Sequence, residues 1–124
     1  MDKIVYLMVA GSLGTLARYG ISIFFNKFAV VNFPIGVFVV NMLGSFLFGL
    51  IWALSEDKGI VNSNMRLIIL VGFMGSFTTF STFAFDNTIY ITQLDWAKLV
   101  LNILANNVVG IFLIYLGFKL SKLA

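Results

Sequence analysis

The chain has 124 residues, 60% of them hydrophobic and 10% charged, and a mean hydropathy of +1.03, whereas soluble domains carry roughly 25% charged residues. It has one proline and neither cysteine nor histidine, which excludes disulfides, thiol catalysis, imidazole bases and His/Cys metal sites. The net charge of +3 comes from residues scattered at the ends of apolar runs, which suits anchoring at lipid headgroups and gives no case for nucleic acid.

A spanning helix needs about 20 apolar residues, and the charges cut the chain into four such pieces. They predict an all-α membrane protein of one domain, residues 1–124, with spans near 4–25, 33–54, 66–86 and 97–119. The opening Met1-Asp2-Lys3 and the long run behind it do not have the form of a cleaved signal peptide. The loops are too short to hold another domain. Four helices make a bundle too thin to enclose a pore alone, so an oligomer is expected.

In the first span Gly11, Gly14, Thr15 and Arg18 fall at i, i+3, i+4 and i+7, one stripe ending on a charge. Arg18 either snorkels to the interface or faces a water-filled vestibule and draws anions. The second span repeats the device with Asn41, Gly44, Ser45, Phe48 and Gly49 on one face. Ser45 and Gly49 form a small-xxx-small pair, so that face is expected against another helix. The Asn41 amide offers two donors, for a partly dehydrated anion or for an interhelical hydrogen bond.

The third span holds Gly72-Phe73-Met74-Gly75-Ser76-Phe77-Thr78-Thr79-Phe80-Ser81-Thr82-Phe83. Glycine costs roughly 1 kcal/mol against alanine in a helix interior, and hydroxyls compete for backbone hydrogen bonds. Two readings stay open. One is a helix whose small residues let a neighbour pack closely. The other is a broken helix whose freed carbonyls hold a cation. Phe73, Phe77, Phe80 and Phe83 recur at helical spacing, either as packing or as electropositive ring edges along an anion path. Thr78, Ser81 and Thr82 put hydroxyls on the other side. The fourth span carries Asn102, Asn106 and Gly110 at i, i+4 and i+8, with Asn107 beside them, as a polar track or an interhelical joint. All five carboxylates are assigned to span ends or loops, which argues against proton-coupled export of cationic drugs. No nucleophile–base pair or phosphate-cradling loop is present, so an enzyme is not expected.

Taken together these pieces resemble the Fluc/CrcB family of bacterial fluoride channels. The likeness covers nearly the whole chain. It rests on Gly11-Ser12-Leu13-Gly14-Thr15-Leu16-Ala17-Arg18-Tyr19, on Gly36 with Asn41 and Gly44, and most of all on Gly72 to Phe83. The resemblance implies a break in the third helix and an antiparallel, dual-topology dimer with two pores. It implies a structural Na⁺ at the dimer centre, held by backbone carbonyls of Gly75 and Thr78. It implies pore residues Asn41, Phe80, Phe83, Ser81, Thr82 and Asn106, with Arg18 at the vestibule. The implied activity is passive, selective fluoride efflux across the bacterial cytoplasmic (inner) membrane, relieving toxicity.

Three positions depart from the family pattern. Val37 follows Gly36 where a threonine is usual, and Gly110 and Ile114 stand where serine and threonine would continue the track. A homologous partner chain supplying those hydroxyls is therefore an alternative to a second copy. Charge bears on the same point. Lys3, Lys58, Arg66, Lys119 and Lys122 fall on the N-terminal side, against Lys27 and Lys98 opposite. That bias favours the N-terminus inside. The alternatives to a conducting homodimer are a non-conducting or half-pore subunit of a heterodimeric fluoride channel and a small multidrug exporter.

Overall fold

The computed structural model describes residues 2–29 and 32–123. Four helices are long and apolar enough to cross a membrane, spanning Asp2–Asn26, Ile35–Glu56, Ser63–Thr92 and Trp96–Leu123. The first two are α1 and α2. The third comprises α3 (63–77) and α4 (Phe80–Thr92), and the fourth is α5. The architecture is all-helical, with no strand among the described residues.

The helices run past the expected spans because their polar flanks have partners. The α3 N-terminus lies at Ser63, ahead of Arg66, because the Asn62 side chain accepts a hydrogen bond from the Met65 N–H at 2.9 Å. Arg66 pairs with Glu56 and lies over the Trp52 ring, 4.6 Å from its centroid. The loop before α3 turns at Gly59 (φ +62) and closes through a hydrogen bond from Ser55 Oγ to the Val61 carbonyl at 2.7 Å. Asp95 caps α5, accepting from the Lys98 N–H at 3.2 Å and pairing with Lys98 Nζ at 3.0 Å. Hydrogen bonds from the Lys98 side chain and backbone hold the Asp95 carboxyl below its ordinary range.

α4 continues to Thr92, beyond the end expected near Asp86 and Asn87. Asn87 does not stop the helix because its amide meets Asn102 of α5. Asp86 consequently lies inside the third span, and one of its carboxylate oxygens is buried without a partner.

Val40, Leu70, Met74 and Phe77 form the core, with Ala17, Ile21, Leu47, Ile51 and Phe73 packed around them. It joins α1, α2 and α3. α5 lies against α2 where glycines let the backbones approach, Gly49 against Ile114 and Gly117 against Phe46 and Leu50. Dispersion and close packing, rather than water exclusion, hold helices together in lipid, so this crossing tolerates no side chain. A Cβ at Gly117 would sit 2.6 Å from both the Leu50 nitrogen and the Phe46 carbonyl oxygen. Gly117→Val is expected to lower stability by about 1–3 kcal/mol through overpacking. Gly20→Ala, with nothing within 4 Å of its new Cβ, serves as the control in thermal unfolding and should not destabilise.

Candidate functional site

The third span is helical to Phe77 and again from Phe80, with Thr78 (φ −80, ψ 157) and Thr79 (φ −145, ψ 114) extended between. Extended backbone inside a span frees groups that a helix would pair, and each must find a partner. Asn41 of α2 supplies one for Thr79. Its Oδ1 accepts from the Thr79 N–H at 2.9 Å, and its Nδ2 donates to the Thr79 carbonyl at 3.2 Å. Of the two readings of Asn41, the interhelical hydrogen bond is realised, and one amide N–H remains for another acceptor.

Thr79 also begins α4. Its Oγ1 accepts from the Thr82 N–H at 3.3 Å and donates to Thr82 Oγ1 at 3.1 Å, with Ser81 Oγ 3.4 Å away. The Thr78 hydroxyl turns back to the Met74 carbonyl at 3.0 Å, and its methyl occupies the space a side chain at Gly44 would need. Gly44 is therefore what allows the extended pair to lie against α2. Ser76 sits between α3 and α1, its hydroxyl within 2.8–3.0 Å of the carbonyls of Gly11, Gly72 and Phe73.

Beside the extended pair lies a cavity of about 390 Å³. Asn41, Gly44, Ser45 and Phe48 of α2 line one wall, with Thr78 and Thr79 beside them. Phe80 and Phe83 of α4 line another, and Asn106, Asn107 and Ile114 of α5 close it. No charged residue lines it. The structure thus brings Asn41, Thr78, Phe80, Phe83 and Asn106 together. The Phe80 and Phe83 rings stand 5.8 Å apart at 51°, and Phe80 is 78% exposed on the protomer. Phe73 and Phe77 instead stack on each other, at 5.6 Å and 18°, in and beside the core.

The other candidates stand apart. Ser81 and Thr82 are exposed and do not line this cavity; their hydroxyls gather at Thr79. Arg18 is half-buried on α1, away from the cavity lining. Gly75 is exposed. The N–H that a continuous helix would send to its carbonyl is that of Thr79, which donates to Asn41. No group of His, Cys, Asp or Glu suited to a metal occurs among the described residues, so a cation here would rely on backbone oxygens. The donor set fits Na⁺: hard carbonyl oxygens, one relieved of its helical donor and one on extended backbone.

Sequence reasoning gave no role to two residues that matter here, Thr79 and Asn87, and set Asn107 only beside the Asn102–Asn106 track. Thr79 carries the clamp, and its position three residues before Thr82 is the cue for a helix start. Asn107 lines the cavity together with Asn106 because 105–109 is π-helical, and such a bulge leaves no mark in the apolar pattern. Asn87 could be found only through its partner Asn102, 15 positions away.

Four helices apolar and long enough to cross a membrane, with a polar and aromatic cavity between them, define a multi-pass membrane protein. The model of the family described as "CrcB-like protein, Camphor Resistance (CrcB)" matches residues 5–118. The chain belongs to that family. It is 40% identical to the fluoride-specific ion channel FluC of Nitrosococcus oceani, over 98% of both chains. It is 42% identical to the protein of that name from Maridesulfovibrio salexigens, over 99% of this chain and 98% of the other. The Nitratidesulfovibrio vulgaris (strain DSM 19637 / Miyazaki F) protein of the same name is 39% identical, over 99% of each.

Proposed function

We propose that this chain is a subunit of a fluoride-selective channel that lets fluoride leave the cell down its gradient. The observation that carries the reading is the uncharged cavity lined by Phe80, Phe83 and asparagine amides, in a chain so similar to fluoride-specific channels. A small, strongly hydrated anion needs donors to replace its water, and no full charge to hold it fast. Asn41 and Asn107 each keep one N–H after bonding to Thr79 and Ile103, and phenyl edges are electropositive. Together they attract an anion weakly enough to release it. Arg18, outside the cavity lining, would act in this reading only as a long-range pull on the anion. HF enters as a neutral weak acid and dissociates inside, so a passive anion leak protects the cell.

The reading includes an antiparallel dimer with a second copy in the bacterial cytoplasmic membrane. Gly75 is exposed, and a Cβ there would meet nothing of its own protomer closer than 3.9 Å. Two such surfaces facing each other would gather the Gly75 and Thr78 carbonyls of both subunits around one Na⁺, whose charge would satisfy oxygens that the extended pair frees. Ser81 and Thr82, outside the cavity lining but gathered at Thr79, act in this reading only where the second subunit completes the path.

A second reading is favoured by the charge distribution. Lys3, Lys58, Arg66, Lys119 and Lys122 sit at one end of the spans and Lys27 and Lys98 at the other. Such a chain prefers one orientation and pairs with an oppositely oriented homologue. Of the three departures from the family pattern, Ile114 lines the cavity and Val37 does not. Fluoride efflux from liposomes holding only this chain, read with a fluoride electrode and with chloride as control, tests both. Fast fluoride release without chloride release is expected for the homodimer. No release from folded protein favours the paired assembly, and equal release of both ions overturns selectivity.

A further inference from the structure

α4, which carries Phe80 and Phe83, makes its most buried contacts through hydrogen-bonding side chains. It contributes no residue to the core of Val40, Leu70, Met74 and Phe77, and its two buried residues are Asn87 and Tyr90. The Tyr90 hydroxyl donates to the Asn32 carbonyl at 3.3 Å. Asn87 Oδ1 accepts from Asn102 Nδ2 at 2.8 Å, and Asn41 clamps Thr79 just before the helix. Where lipid surrounds the helices no water-driven force presses them together, so these three pins set where α4 stands.

The middle pin is the deepest. Asn102 is 1% exposed, and its amide works at both ends. Nδ2 reaches Asn87 across the α4–α5 contact, and Oδ1 accepts from Asn106 Nδ2 at 2.9 Å. The same Asn106 nitrogen lies 2.9 Å from the Asn102 carbonyl. Asn106 lines the cavity, so the three amides run from its wall to the turn of α4 below Phe83. Phe83 and Asn87 are four residues apart and share a face. Fixing Asn87 therefore fixes the rotation of the turn that presents Phe83, and of Phe80 one turn earlier. The arrangement is not the most stable one available, because Asn106 Oδ1 is left buried without a partner. Such a network costs stability compared with an apolar contact.

We propose that Asn102 is a positioning residue for the Phe80–Phe83 pair, holding α4 at the rotation in which both rings face the ion path. The proposal rests on the channel reading above. It is tested with Asn102→Leu and with the double variant Asn87→Leu/Asn102→Leu, which removes both polar partners so that neither is orphaned. para-Fluorophenylalanine at Phe83 reports the ring's surroundings by fluorine NMR, alongside thermal unfolding and liposome efflux.

The double variant is expected to unfold within a few degrees of the parent. Its Phe83 resonance should move, and its fluoride efflux should fall by about tenfold or more, a barrier increase of ~1.4 kcal/mol. An unmoved resonance with parental efflux would show that the amides only add stability, and would overturn the proposal. If Asn102→Leu alone fails to fold, the double variant decides. If the parent itself shows no fluoride efflux, the conducting homodimer falls and the paired assembly is favoured. The positioning role then stands or falls on whether the Phe83 resonance moves.

Discussion

Phe80→Ile is expected to cut fluoride efflux by about two orders of magnitude, equivalent to ~2.7 kcal/mol added to the barrier, while the protein keeps its fold. Isoleucine is apolar and fills much of the same space, so the cavity neither closes nor fills with water. What it lacks is the ring edge, whose positive rim is the only attraction a hydrocarbon side chain can offer an anion. The fold is insensitive because Phe80 is 78% exposed on the protomer and stands outside the core. Exposed substitutions of this kind usually stay within ±0.5 kcal/mol. The measurement is the initial efflux rate from liposomes at matched protein density, with circular dichroism and size exclusion as controls for folding. Unchanged efflux would mean that the ion does not pass Phe80 and that the cavity beside it is not the path. Phe83→Ile separates the two rings. Phe83 is half-buried, so some loss of stability should accompany its loss of flux.

The spans were legible because a helix in lipid must be apolar along its whole length, and only charge interrupts that signal. The ends were less legible, for a reason visible at Asp86 and Asn87. Two polar residues in a row read as the end of a span, yet the helix goes on to Thr92 because Asn102 supplies a partner. Sequence reports the cost of burying an amide and says nothing of a partner on another helix. The same limit governs the site. Phe80, Phe83, Asn41 and Asn106 could be singled out, and all four line one cavity. Spacing could not separate Phe80 from Phe77, which share a helical stripe until the extended residues turn one to the cavity and leave the other in the core. Nor could spacing choose between a free amide and an engaged one at Asn41, because the group that engages it lies 38 positions away.

Asn41→Leu is expected to cost about 2–6 kcal/mol, taking about 1–3 kcal/mol for each of the two buried polar groups left without a partner, and to abolish efflux. Leucine keeps the branching of asparagine at Cγ and is the larger side chain, so no cavity confuses the result. It strips both partners from Thr79, which is 7% exposed, so water cannot easily reach the freed N–H and carbonyl. The chain can recover those bonds only by winding Thr78 and Thr79 back into a helix. That would return the Thr79 N–H to the Gly75 carbonyl and rotate α4, with both phenyl rings, out of place. Asn41→Asp divides the two effects, since a carboxylate still accepts from the Thr79 N–H but cannot donate to its carbonyl. Its stability should fall between parent and leucine variant, while its negative charge at the cavity wall repels an anion and stops efflux. Thermal unfolding and efflux measured on the same three proteins therefore distinguish a clamp from a ligand. A clamp loses stability and flux together in the leucine variant. A residue that serves only as an anion ligand loses flux with stability intact, and that outcome would sink the account of Asn41 as the clamp on the extended backbone.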